Sequence, residues 1–224
     1  MPLPDALVLD LDGTLVDSAA DLAVAVNSML RGMGRTEVAL DDIRGMIGDG
    51  LGMLAYRALA ATGEPPAQAE IPAYAARLLA HYVDPSHEPQ TRMFPGVAEV
   101  LGDLRAQGVK LGLCTNKAQA ATEQVLRKTS LDALLDCAAG YDLAPVPKPD
   151  PAHVRKTLEM LGNPATAVMV GDSNNDLKAG KAAGLPVILV TFGYGTPEAL
   201  QAADATIDDF AELPAALARL GFSG

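Results

Sequence analysis

The polar residues that break off the apolar runs of this chain are of the types that handle phosphoryl groups. Asp10 and Asp12 close the run Ala6-Leu7-Val8-Leu9, and Thr115 and Asn116 follow Val109-Lys110-Leu111-Gly112-Leu113-Cys114. Asp172 follows Val168-Met169-Val170-Gly171, with Ser173 next and Asp176 four residues on, and Lys148 sits in Pro147-Lys148-Pro149-Asp150-Pro151. Several carboxylates meeting in one crevice repel each other, and a phosphate dianion adds to the repulsion. The set therefore calls for a hard divalent cation with oxygen ligands, Mg²⁺ by preference. A lysine on the opposite side supplies a second positive charge. Such a group suits phosphoryl transfer, where catalysis consists mainly of positioning and of neutralising charge.

These residues converge only if the elements carrying them form an open parallel sheet, whose ligands bind at the carboxyl ends of the strands. The sequence pattern supplies that sheet. Beyond about residue 95 short apolar runs alternate with helical stretches: helices at Val97–Gln107, Ala118–Lys128, Pro151–Leu161, Asp176–Ala183 and Asp209–Leu220, and strands at Val109–Cys114, Cys137–Gly140, Ala167–Val170, Pro186–Thr191 and near Thr206. Alternation of this kind predicts a doubly wound, Rossmann-like α/β core. The first strand, Ala6–Leu11, belongs to the same sheet. Between them lie three helical stretches, Ala19–Met33, Leu51–Thr62 and Ala67–Val83, with no strand pattern, followed by a Pro-rich linker. The expected organisation is a core of residues 1–16 and 91–224 with an all-helical cap, residues 17–90, inserted after the first strand.

Composition sets limits on partners. The chain has 224 residues, 49% hydrophobic, enough for a sizeable core. A net charge of −11 from 28 acidic and 17 basic residues argues against nucleic acid, which is bound through clustered Lys and Arg, and aromatics at 4% leave little for stacking bases. Asp5, Asp10 and Asp12 interrupt Met1–Leu15, so no leader is expected. The apolar stretches fall short of the roughly 18 residues that span a bilayer, and no membrane partner is expected. Cys114 and Cys137 lack metal or disulfide-framework spacing and read as reduced thiols, which suits the cytoplasm. Monomer and homodimer both remain open.

In order along the chain, Asp10-Leu11-Asp12-Gly13-Thr14-Leu15-Val16-Asp17-Ser18, Leu113-Cys114-Thr115-Asn116, Lys148-Pro149-Asp150-Pro151 and Gly171-Asp172-Ser173-Asn174-Asn175-Asp176 resemble the four motifs of the haloacid dehalogenase superfamily, in its phosphatase branch. Ile47-Gly48-Asp49-Gly50, Lys117 after Asn116, and Phe192-Gly193-Tyr194-Gly195 make the pattern similar to bacterial phosphoglycolate phosphatases. The resemblance implies Asp10 as a nucleophile that forms an aspartyl-phosphate and Asp12 as general acid and base. It implies Mg²⁺ on Asp10, the backbone carbonyl of Asp12, and Asp172. Thr115 and the Asn116 amide would contact the phosphoryl oxygens, Lys148 would neutralise charge, and Asp176 would orient Lys148 or a metal-bound water. The partner implied is a small phosphorylated metabolite. For a substrate carboxylate, Lys117 and Arg44 are the candidate cations, and Gly48 and Gly50 are candidates to face substrate within the cap.

Each residue also has a plainer reading. Asp12-Gly13 alone is a turn, Thr115-Asn116 could cap a helix, and Asp172 to Asp176 could be an N-terminal capping cluster. An Asp set within Leu-Val-Leu-Asp-Leu is costly to bury without a cation or donors, which favours the chemical reading. His81, His87 and His153 share no ligand spacing and read as surface or helix-end residues, and Cys114 as a small core residue. A phosphomutase of the β-phosphoglucomutase kind and a non-catalytic binding protein are the competing functions. A dehalogenase would leave Asp12 without a purpose.

Overall fold

The computed structural model describes residues 2–84 and 90–222, so His87 lies outside the described residues. The chain opens with β1 (Ala6–Leu9) and the short β2 (Val16–Asp17), then runs through α1 (Ala19–Arg31), α2 (Leu40–Arg44), α3 (Gly50–Ala61) and α4 (Ile71–Tyr82). It returns in β3 (Arg92–Met93) and continues as α5 (Val97–Ala106), β4 (Lys110–Cys114), α6 (Gln119–Thr129), β5 (Cys137–Ala139) and α7 (Pro151–Met160). Then follow β6 (Ala167–Gly171), α8 (Asn174–Ala182), β7 (Val187–Val190), α9 (Pro197–Ala202), β8 (Ala205–Ile207) and α10 (Leu213–Arg219). Two compact units result, one of residues 1–17 and 92–224 and one of residues 18–91.

In the first unit six strands form a parallel sheet in the order β5-β4-β1-β6-β7-β8. Its centre is β1, with Ala6 opposite both Lys110 and Ala167. Strand residues alternate between faces. Leu7, Leu9, Leu111, Leu113, Val168 and Val170 pack with Val97, Leu101 and Leu104 of α5 and Leu213 and Leu217 of α10. Val8, Met169, Val187 and Leu189 pack on the other face with Val154 of α7, Leu177 of α8 and Ala199 of α9. Both faces are covered, which is why these strands read as unbroken apolar runs rather than alternating ones. Strand order reverses beside β1, so the carboxyl ends of β1, β4 and β6 open onto one crevice.

The second unit is all helix among its described residues. Leu22, Val26, Met29 and Leu30 of α1 recur at helical spacing and bury against Leu54, Leu59 and Leu78. Asn27 fixes the segment before α2 by a two-way bond with the Val38 backbone, at 2.9 and 3.0 Å. Asp21 holds the returning chain, accepting from the amides of Gln90 at 2.7 Å and Thr91 at 3.0 Å.

Several boundaries differ from the sequence pattern. Residues 68–70 form a 3-10 turn and α4 starts at Ile71, with Pro72 in its first turn where a missing N–H costs nothing. The last helix divides likewise, into a 3-10 turn at Phe210–Glu212 and α10, again with a proline in the first turn. The two-residue ribbon β2–β3, with Val16 opposite Met93 and Asp17 opposite Arg92, is too short to show a period. The one-turn α2 and α9 are also absent from the pattern.

Two helix glycines differ in what they face. A Cβ on Gly102 of α5 meets nothing within 4 Å, whereas one on Gly180 of α8 would lie 2.7 Å from Val187 Cγ2 and 3.0 Å from Met169 Cβ. In urea melts Gly102→Ala should therefore stabilise the protein by about 0.5–1 kcal/mol. Gly180→Ala should destabilise it by about 1–3 kcal/mol through overpacking. Equal effects at the two positions would contradict this packing of α8 on β6 and β7.

Candidate active site

Asp10 is the first residue past β1, and its amide continues the ladder to the Val170 carbonyl at 2.9 Å. Its carboxylate Oδ1 lies 2.7 Å from Lys148 Nζ, and the same ammonium lies 2.6 Å from Asp176 Oδ1. Lys148 is almost wholly buried. Asp176 is fixed by its other oxygen, which accepts from Ser173 Oγ at 2.6 Å and Ser173 N at 3.0 Å in a capping box that starts α8. The loop bearing Lys148 is held from both sides. Asn116 Nδ2 donates to the Lys148 carbonyl at 2.8 Å, and Asp150 caps α7 by accepting from Ala152 N at 2.8 Å. The Lys148–Pro149 peptide is cis.

Asp172, at the end of β6, accepts at Oδ2 from the amide of Tyr194 at 2.6 Å, and the Tyr194 hydroxyl donates to Asp17 Oδ1 at 2.7 Å. Close approach here requires glycine. A Cβ on Gly13, which has φ +88°, would collide with the Asp172 carboxylate, and one on Gly195 would collide with the Asp172 carbonyl. Asp12 lies beyond the strand rather than on it, and Lys117 Nζ reaches both its carboxylate oxygens, at 3.1 and 3.0 Å. Thr115, buried at the end of β4, accepts from the Lys117 amide at 3.2 Å.

Burial dominates the electrostatics. It pushes the Asp10 carboxyl up to about 7; Lys148 pulls against this, and the neighbouring Asp176 charge adds to it. Asp172 is raised well above its usual value by burial, then by Asp176 and Asp10. Burial would lower Lys148, but Asp10 and Asp176 outweigh it and hold the ammonium charged above its ordinary range. One lysine does not neutralise three buried carboxylates.

That imbalance fits a cation. Ligand atoms of Asp10, Asp172 and Asp176 lie within 4.8 Å of one another. Both oxygens of Asp176 are already engaged, by Lys148 and Ser173. Among the described residues no hydrogen bond uses Oδ2 of Asp10 or Oδ1 of Asp172. Those two carboxylates are the ones able to hold a divalent metal, with Asp176 serving Lys148 instead.

A model of the haloacid dehalogenase-like hydrolases matches residues 7–190, most of the chain, with Asp10, Asp12, Lys148, Asp172 and Asp176 inside the match. The chain belongs to this family. It is 39% identical to the phosphoglycolate phosphatase of Caulobacter vibrioides, over 94% of this chain and 89% of the relative. It is also 39% identical to that of Rhodospirillum rubrum, over 94% and 90%. Among solved structures it is similar to a predicted phosphoglycolate phosphatase from Haemophilus somnus, with TM-score 0.85 and 29% identity over 95% of this chain and 97% of that one. It is also similar to CbbY from Rhodobacter sphaeroides in complex with phosphate, with TM-score 0.81 and 26% identity over 96% and 100%. Like the phosphoglycolate phosphatases among these relatives, the chain is an enzyme of the phosphatase kind.

Within this haloacid dehalogenase-like core, Asp10, Lys148, Asp172 and Asp176 meet at one point, and Asp12, Thr115, Asn116, Lys117 and Ser173 surround it. Asp176 accepts from Lys148 through Oδ1 and caps α8 through Oδ2. Lys117, a candidate cation for a substrate carboxylate, is paired with Asp12 at 3.0 Å. His153 is fully buried, not at the surface: its Nε2 meets the Ala139 carbonyl at 3.1 Å, and burial with the nearby Lys148 charge lowers it to about 4. In the helical unit Arg44 is paired with Asp41 at 3.3 Å. Gly48 and Gly50, with φ +122° and +80°, flank Asp49, which pairs with Arg57 of α3. Tyr194 carries no expected role, although two glycines around an aromatic after a strand do signal close backbone approach.

The charge imbalance has a measurable consequence. Asp10 is raised above its unfolded value, so its contribution to stability is full below about pH 4 and is lost as pH rises through about 7. Asp172 acts in the same direction, and Lys148 stays charged throughout. Chelator-treated protein should therefore lose thermal stability between about pH 4 and about pH 7. Added Mg²⁺ should restore it most at the upper end, and Asp10→Asn should flatten the profile. A metal-free stability that rises over this range would contradict the reading.

Proposed function

We propose that the chain is a Mg²⁺-dependent phosphomonoesterase whose preferred substrate is 2-phosphoglycolate, released as glycolate and phosphate, and that it acts in the cytoplasm, where Cys114 and Cys137 stay as thiols. The observation that carries this reading is the Asp10 carboxylate held 2.7 Å from a buried lysine with its other oxygen unused. Its support for the substrate is the phosphoglycolate phosphatase relatives.

Asp10 attacks phosphorus, forming a bond from a carboxylate oxygen as the bond to the leaving alkoxide breaks. Asp12, parted from Lys117 and entering the step protonated, gives its proton to that alkoxide. It then takes a proton from the water that attacks the aspartyl-phosphate, releasing phosphate and restoring both carboxyls. The Thr115 hydroxyl and the Asn116 amide hold the phosphoryl oxygens, and Lys148 offsets charge on them and on Asp10. Asp10, Asp172 and the Asp12 carbonyl would hold Mg²⁺, which supplies a Lewis acid for the phosphoryl oxygen. Gly48 and Gly50 are assigned to substrate choice in the inserted unit.

A phosphorylated sugar is the second reading, favoured by the likeness to CbbY, one of whose structures holds xylulose-1,5-bisphosphate. Phosphate release measured across a panel of small esters separates the two. Phosphoglycolate should give the highest kcat/KM, and a bisphosphorylated sugar exceeding it would replace the named substrate. Asp10→Asn should abolish release on every ester with the circular dichroism spectrum unchanged, and Lys148→Met should lower kcat by about 10²–10³. Retained turnover in Asp10→Asn would overturn the chemistry itself.

A further inference from the structure

The loop after β7 lies against Asp172 through three consecutive residues. A Cβ on Gly193 would collide with the Asp172 side chain and sit 2.6 Å from the Gly13 carbonyl, and one on Gly195 would collide with the Asp172 backbone. Tyr194 between them makes two polar contacts with different ends. Its amide donates to Asp172 Oδ2 at 2.6 Å, and its phenol donates to Asp17 Oδ1 at 2.7 Å. Asp17 belongs to β2, which pairs with β3 through Asp17 opposite Arg92.

On the metal reading proposed above, we infer that Tyr194 is a positioning residue for the metal ligand Asp172: its amide holds one carboxylate oxygen and leaves Oδ1 for the cation, while its phenol fastens the loop to Asp17. A carboxylate on a freely turning side chain samples several orientations. Fixing one oxygen presets the other and lowers the ordering cost of binding, as outer partners of metal ligands do. The phenol's bond to Asp17 involves no reacting atom, and it bears on Asp172 through the loop backbone that carries the amide. The glycines on either side let the loop come close enough for that amide to reach. β2, an element with no reacting group of its own, is thereby a determinant of cation affinity.

The test is direct Mn²⁺ binding, followed by electron paramagnetic resonance of the free ion, on the wild type, Tyr194→Phe, Asp17→Leu and the double variant. Both single changes are near-isosteric and leave the Tyr194 amide in place. Each should weaken Mn²⁺ binding about tenfold. The double variant should be no weaker than the weaker single one, because both remove the same bond. Wild-type affinity in both single variants, with or without a lower Tm, would make the Tyr194–Asp17 bond purely structural and overturn the inference. Independent, multiplying losses would overturn it as well. A variant that fails to fold leaves the other single variant to decide. Failure of the wild type to bind Mn²⁺ would instead sink the metal reading itself, and this inference with it.

Discussion

A lysine ammonium buried between two carboxylates is the constraint around which the rest of the core is arranged. Lys148, almost wholly buried, reaches Asp10 and Asp176 at 2.7 and 2.6 Å. A buried ion pair is expensive unless its remaining oxygens and protons are satisfied, and removing one member strands the others. The surrounding structure answers that demand. Asp176 is tied to Ser173 at the start of α8, the Lys148 carbonyl is tied to Asn116, and the loop is closed by the Asp150 cap of α7. Three chain segments far apart in sequence are thereby brought to the end of β1.

The same arithmetic leaves a deficit. Asp10, Asp172 and Asp176 gather within coordinating distance of one another, and one ammonium cannot balance them. The raised carboxyls of Asp10 and Asp172 express that deficit in the metal-free protein. A divalent cation would correct it, and a phosphoryl group brought against Lys148 and that cation would find positive charge on two sides. The acidic character of the chain is thus compatible with an anionic substrate because the positive charge is local.

Much of this was legible in the sequence because each reactive residue interrupts a long-range regularity. An Asp after Ala-Leu-Val-Leu, or a Gly-Asp after Val-Met-Val, marks a strand end, and in a doubly wound sheet the strand ends fix where side chains meet. Side-chain pairings across segments were not legible. Nothing in local pattern says that Lys117 turns to Asp12, or that Asp176 serves Lys148 and a helix cap at once. Burial of His153 depends on the β5 carbonyl it meets, which spacing along one helix cannot reveal. Short elements were also hidden: the β2–β3 ribbon has too few residues to show a period, yet it carries Asp17. In the helical unit the core residues followed helical spacing closely, since one apolar stripe per helix is all that unit needs.

The central claim is that Asp10, rather than water, makes the first bond to phosphorus. It is tested most directly by quenching the wild-type enzyme in acid during turnover of 2-phosphoglycolate, reducing the protein with borohydride and mapping the product by peptide mass spectrometry. Borohydride converts an aspartyl-phosphate to homoserine, so homoserine at position 10 is the predicted result. Undiminished hydrolysis with aspartate intact at position 10, or reduction at a different carboxylate, would contradict the account.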